Sequence, residues 1–159
     1  MNMSELRNTT LQYFQKQMPN APDYIVHDLV YKSYKNDPKG AYRLIDFVNQ
    51  RDWKLLTLPI TAKGFPWDNR TQALLQSRTG GKSPGFGIPN DAARHEQQKK
   101  MLANGPSQEP IIVAQTLLGK LELIEGWHRT IQSLELWPEG YDQPAWVGFH
   151  TARSSSQGM

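Results

Sequence analysis

The sequence predicts an α+β protein: a small mixed sheet with helices, preceded by a helical N-terminal extension. Three observations predict it. The first ~50 residues carry apolar side chains at helical spacing. From Trp53 onward, short apolar runs alternate with helical stretches, as in a layered domain. The segment Leu121 to Leu134 reads as a strand, a glycine turn and a helix in direct succession.

The N-terminal elements follow in order. Ser4 is a candidate cap for a helix running to about Met18. Pro19 to Pro22 breaks the chain. A second helix, Pro22 to about Lys35, carries Ile25, Val26, Leu29, Val30 and Tyr34 on one stripe. Asn36 to Gly40 is a turn. A third helix, Ala41 to about Gln50, presents Leu44, Ile45 and Val48. These stripes are packing surface, with an oligomer or partner interface as the functional reading.

Leu55 to Ile60 reads as a short strand, with Pro59 tolerable only near an edge or an end. Asn69 to Arg78 is a short helix. Thr79 to Pro89 is a glycine and proline loop holding Lys82. Asn90 or Asp91 caps a helix of Ala92 to Ala103, closed by Asn104 and Gly105. Glu109 to Gln115 is a strand, and the chain then turns through Lys120 into the strand Leu121 to Glu125. Trp127 to about Leu136 is a helix, and Gln143 to Phe149 is the last strand. The expected divisions are residues 1–52 as helical extension, 53–150 as the ligand-binding domain and 151–159 as a flexible tail rich in serine.

Composition narrows the chemistry. The 159 residues include no cysteine, which excludes disulfides, thiolate catalysis and cysteine metal sites. The first residues lack the apolar run of a signal peptide. No window approaches the ~18 apolar residues of a membrane span, so a cytoplasmic protein with no membrane partner is expected. The net charge of +3 suits an anionic ligand and is too small to argue for nucleic acid by itself.

The chemistry concentrates at Glu125 to Thr130. Gly126 permits the tight backbone of a strand-to-helix turn. The helix start has outward N–H groups and the positive end of the dipole, which suits a phosphate. Trp127, His128, Arg129 and Thr130 occupy the first turn. Arg129 offers a bidentate grip, His128 a donor or proton shuttle, and Thr130 a hydroxyl. Trp127 either stacks on a base or anchors the helix to the sheet. The structural alternative is that Glu125 or a neighbouring acid compensates the two cationic side chains.

These residues carry a resemblance. Glu109-Pro-Ile-Ile-Val113, followed by Leu121-Glu-Leu-Ile-Glu-Gly-Trp-His-Arg129, resembles the core of the ParB/sulfiredoxin superfamily over roughly residues 53–149. Residues 61–90 look like an insertion. The resemblance implies that the turn binds the phosphates of ATP or another nucleotide with Mg²⁺. Trp127 stands where sulfiredoxins have cysteine, so sulfinic-acid repair is not expected. The turn also differs from the glycine-Glu-Arg-Arg of chromosome-partitioning members, and no DNA-reading module is expected after the last strand. The nearest form is acid-Gly-X-His-Arg, found in ParB-like proteins that include free-serine kinases. There Glu125 matches the acidic position, and His128 and Arg129 the phosphate-facing pair.

Two functions follow as expectations. One is an ATP-dependent phosphotransferase or nucleotide hydrolase. Its nucleotide would lie on Gly126, Trp127, His128, Arg129 and Thr130, and Glu125 and His128 are its candidate catalytic groups. Asp91 is an alternative acid, and a small hydroxyl compound the acceptor. The other is a non-catalytic nucleotide- or DNA-associated regulatory module, with phage origin as a weaker suggestion. Lys82 on its loop and Arg94, in the cluster Asp91, Arg94, His95 and Glu96, are further ligand candidates. Each has an ordinary surface loop or solvated helix face as its alternative. The Gly80-Gly-Lys-Ser stretch lacks P-loop spacing. No dedicated metal cage is expected from His or carboxylate spacing, His27 and His150 stand alone, and Lys99-Lys100 is too short for a nucleic-acid patch.

Overall fold

The computed structural model describes residues 11–78, 100–101 and 103–151. Their architecture is α+β, with helices and a four-stranded mixed sheet of order β1-β4-β2-β3. The strands are β1, Arg51–Ile60; β2, Ile111–Gln115; β3, Leu121–Glu125; and β4, Tyr141–His150. The chain forms two compact units. Residues up to Lys54 group with those from Gly148 onward, and Leu55–Val147 forms the second.

In the first unit, residues 11–17 are helical. The next helical stretch, from Asp23, passes through a π-helix, α1, Ile25–Tyr31, and continues as α2, Lys32–Asn36. Ile25, Val26, Leu29, Val30 and Tyr31 are buried together with Phe14 and Met18. The predicted stripe is thus the core of this unit, except that Tyr34 is half-buried. The π segment was not legible, because its i→i+5 bonding leaves the same apolar residues inside as an ordinary helix would.

Helix α3, Pro38–Asn49, begins three residues before the expected start. Asp37 caps it by accepting the Gly40 N–H at 3.1 Å, and Pro38 takes the first helical position, which needs no donor. The predicted turn is therefore mostly helix. Strand β1 also starts early, at Arg51 rather than Leu55. Trp53 joins it and donates its indole N–H to the Val48 carbonyl at 3.1 Å. Gly148 makes room for that indole, since a Cβ there would lie 2.7 Å from the ring. Pro59 sits in β1, an edge strand of the sheet, where its missing N–H is tolerated.

The second unit carries the candidate site. Helix α4, Asn69–Arg78, coincides with the predicted one. Asp68 caps it by accepting the Thr71 N–H at 2.9 Å. Strands β2 and β3 form an antiparallel hairpin closed by hydrogen bonds between Thr116 and Lys120. Ile111, Ile112, Val113 and Ala114 are all buried, as a strand covered on both faces requires. Helix α5, Trp127–Leu136, follows β3 directly. It buries Ile131 and Leu134, and also Thr130, Gln132 and Ser133. No helix among the described residues is long and apolar enough to cross a membrane.

Candidate functional site

The turn into α5 is shaped by its backbone. Gly126 has φ +101° and ψ +23°, left-handed values that side chains disfavour. A Cβ at this position would also lie 2.5 Å from Cγ2 of the buried Ile111. A register shift between Ile112 and Val113 sits beside this approach and pairs Ile112 with Glu125. Such a bulge re-aims the end of its strand. Among the described residues no side chain caps α5, and the Gly126 carbonyl accepts the Thr130 N–H at 2.9 Å.

A cavity of about 620 Å³ opens at this turn. It is lined by Glu125, Gly126, Trp127, His128, Arg129 and Gln132 of the turn and α5, and by Lys100, Met101 and Ser107 from the segment before β2. All of these belong to the second unit. The volume falls in the range of small-molecule sites, ~300–1,000 Å³. Among the described residues, its wall brings together Lys100, His128 and Arg129 with one carboxylate, Glu125. Partial desolvation holds the His128 imidazole below its ordinary titration range, so it is neutral at pH 7.

Arg129 has local partners. Its guanidinium donates to the backbone carbonyls of Glu109, at 3.1 Å, and Pro110, at 3.2 Å. It also pairs with the Glu109 carboxylate at 3.2 Å. The Gln143 amide donates to the same Glu109 carbonyl at 2.9 Å. Arg129 therefore fastens α5 to the segment leading into β2 while lining the cavity. The exposed carboxylate of Glu109 makes the ion pair itself a small contribution; the carbonyl contacts fix the geometry.

Thr130 faces elsewhere. It is fully buried and does not line the cavity. Its hydroxyl and that of Ser133 are buried and lie against the buried hydroxyl of Tyr141. Burial pushes the Tyr141 phenol up to about 12, and the nearby Ser133 and Thr130 hydroxyls and the Arg129 charge pull the other way. A polar layer thus lies behind the turn, away from the cavity.

Six residues expected at the site fall within this picture: Glu125, Gly126, Trp127, His128 and Arg129 line the cavity, and Thr130 backs it. Lys82 and Arg94, with Asp91, His95 and Glu96, lie outside the described residues. Four lining residues were not anticipated: Lys100, Met101, Ser107 and Gln132. Lys100, Met101, Ala103 and Asn104 are helical, and Gly105 follows them at φ +84°. The Asn104-Gly105 stop was the available signal for that helix end. Among the described residues, no group of three or more His, Asp or Glu is placed to hold a metal ion.

Compared with protein families, with curated proteins and with solved structures, the chain matches none.

Proposed function

We propose that the cavity at Gly126 binds the phosphates of a nucleotide, ATP or another nucleoside triphosphate, and that the domain is of ParB/sulfiredoxin type. One observation carries the reading. An uncapped helix start, reached through a left-handed glycine, opens on a cavity walled by Lys100, His128 and Arg129. The helix dipole and the Lys100 and Arg129 charges attract an anion, with the neutral His128 ring as a hydrogen-bonding neighbour. The likeness of Glu109 to Val113 and Leu121 to Arg129 to the superfamily core supports the nucleotide as that anion.

The residues present also suit Mg²⁺ delivered with a nucleotide. This ion is held mainly by phosphate oxygens and water, with one or two carboxylates. Glu125 is the carboxylate among the described lining residues. When bound, the metal neutralises phosphate charge. Lys100 and His128 then hold phosphate oxygens, and Arg129 keeps the helix start in place through Glu109 and Pro110. In a phosphotransferase, Glu125 takes the proton of an acceptor hydroxyl as its oxygen bonds to the terminal phosphorus. The bond from that phosphorus to the leaving diphosphate breaks. In a hydrolase, water is the acceptor.

The test is a titration of the purified protein with ATP, CTP and GTP in the presence of Mg²⁺. Product formation is followed with and without serine or DNA. Binding is expected to weaken about tenfold or more in Lys100→Ala, the usual effect of losing a charged hydrogen bond. Glu125→Gln is expected to bind and not turn over. Absence of nucleotide binding defeats the proposal. Binding without turnover under every condition assigns the site to a non-catalytic, nucleotide-responsive module. A cavity with a single described carboxylate is compatible with that second reading.

A further inference from the structure

Arg129 comes to the cavity wall with an acid already attached to it. Its guanidinium donates through Nη1 to the carbonyls of Glu109, at 3.1 Å, and Pro110, at 3.2 Å, and meets the Glu109 carboxylate through Nη2 at 3.2 Å. The two kinds of contact differ in how firmly they hold. The carbonyls belong to the segment that leads into the buried β2. The Glu109 carbonyl also accepts from the amide of Gln143, a wholly buried residue. The Ser107 hydroxyl accepts the Glu109 N–H at 3.2 Å and fixes the same backbone further. The Glu109 side chain is different, because it is 60% exposed. An exposed ion pair contributes little, so moving this carboxylate into solvent costs little. Moving the guanidinium would give up both carbonyl contacts.

Such an arrangement suits exchange of one anion for another. Arginine holds its donors in a rigid fork that fits carboxylate and phosphate oxygens alike. Arg129 lines the cavity, and Glu109 stands outside the lining residues. Carboxylate and ligand therefore draw on the same charge from two sides. While Glu109 is paired, it neutralises much of what Arg129 offers, and its own charge repels an arriving anion. Sequence points to Glu125 or a neighbour as the acid that compensates the cationic turn. The structure adds Glu109, twenty residues before Arg129 in the chain.

We propose that Glu109 is an internal counter-ion that competes with a phosphate ligand for Arg129 and holds down the anion affinity of the cavity until the carboxylate leaves. This rests on the phosphate-binding reading above. The carbonyl contacts keep the guanidinium in place throughout, so the exchange needs only one exposed side chain to move.

The experiment titrates the full chain with tripolyphosphate by calorimetry at low ionic strength, where exposed charges are least screened. It is repeated on Glu109→Gln and Glu109→Asp, and on Glu109→Gln with and without Arg129→Gln. Circular dichroism checks that each variant is folded. Glu109→Gln is expected to bind about two- to fivefold more tightly than the wild type, the range that one exposed ion pair spans. That gain is expected to vanish when Arg129→Gln is present. Glu109→Gln binding no more tightly than the wild type overturns the counter-ion role and leaves the phosphate site standing. A gain of equal size without Arg129 also overturns it, because Glu109 then acts by its charge alone. Should the Arg129→Gln protein fail to fold or to bind, Glu109→Asp decides. It keeps the charge and withdraws it from Arg129 by one methylene, so competition for Arg129 predicts a gain, and wild-type affinity overturns the proposal. If neither the wild type nor Glu109→Gln binds tripolyphosphate, the phosphate-binding reading falls as well.

Discussion

Gly126 is held by two independent restraints. Its φ of +101° disfavours any Cβ, and Ile111 occupies the space a Cβ would need. Left-handed backbone costs a side chain ~1–2 kcal/mol, and crowding a packed core adds ~1–3 kcal/mol. Gly126→Ala is therefore expected to lose about 2–5 kcal/mol in urea unfolding, and a loss below about 1 kcal/mol would refute the steric account. Tyr141 gives a second prediction. A phenol titrating at about 12 instead of near 10 favours the fold while it is neutral. That contribution is complete below pH 10 and disappears as the pH climbs through about 12. Tyr141→Phe removes a buried hydroxyl that lies against those of Ser133 and Thr130, so stability at pH 7 is expected to fall by about 1 kcal/mol. It is also expected to flatten the alkaline loss. No loss at pH 7 would mean that the three hydroxyls are not bonded to one another. His128 works in the opposite direction. Its pKa is lowered, so the fold favours the neutral ring, and protonation as pH falls below 6.5 costs stability. The same protonation adds a positive charge to the cavity. The phosphate affinity of the wild type relative to His128→Gln, measured by calorimetry, is therefore expected to rise as the pH falls below 6.5, and a constant ratio would remove His128 from the phosphate contacts.

Elements with strong local signals coincide with their predicted bounds. Asn69–Arg78, Leu121–Glu125 and Trp127–Leu136 each start and stop where sequence punctuation says. Asp68 precedes the first, and Gly126 separates the other two. Elements whose limits depend on partners were harder to read. Strand β1 gains Arg51 to Lys54, a stretch whose Trp53 packs on Gly148, a residue ~95 positions away that no local pattern reveals. The start of α3 was readable in principle, since Asp37-Pro38 is a cap followed by a first-turn proline. Asp37→Ala is expected to lower stability by about 1 kcal/mol, measured by thermal unfolding, and no loss would show that Pro38 alone sets the helix start. The site was legible as a turn and opaque as a cavity. Sequence showed what stood at residues 125–130. It did not show that Arg129 would spend its donors on Glu109 and Pro110, or that Lys100 and Gln132 would complete the wall. Those facts depend on how a distant segment returns.

At the scale of the molecule, the chain is not divided into consecutive pieces. The first unit takes its last residues from Gly148 onward, after the whole of Leu55–Val147 has been used for the other. The expected division at residues 52 and 53 falls close to the first boundary, and the return at Gly148 was not anticipated. A fragment of residues 1–54 lacks the strand end that Trp53 packs against. It is expected to keep helical circular dichroism and to melt without a cooperative transition. A sharp transition would show that the helices suffice without Gly148 to His150. The sheet order β1-β4-β2-β3 requires the same long connection, since the first and last strands of the sequence are neighbours.

The packing of Trp53 on Gly148 also bears on how the protein is made. Synthesis proceeds at ~5–20 residues per second. The helices and Trp53 therefore emerge on the order of 5–20 s before the glycine that receives the indole. During that interval the half-finished β1 has an unfilled hydrogen-bonding edge, the kind of surface on which nascent chains associate wrongly. The last strand is then the event that ends the exposure of the first.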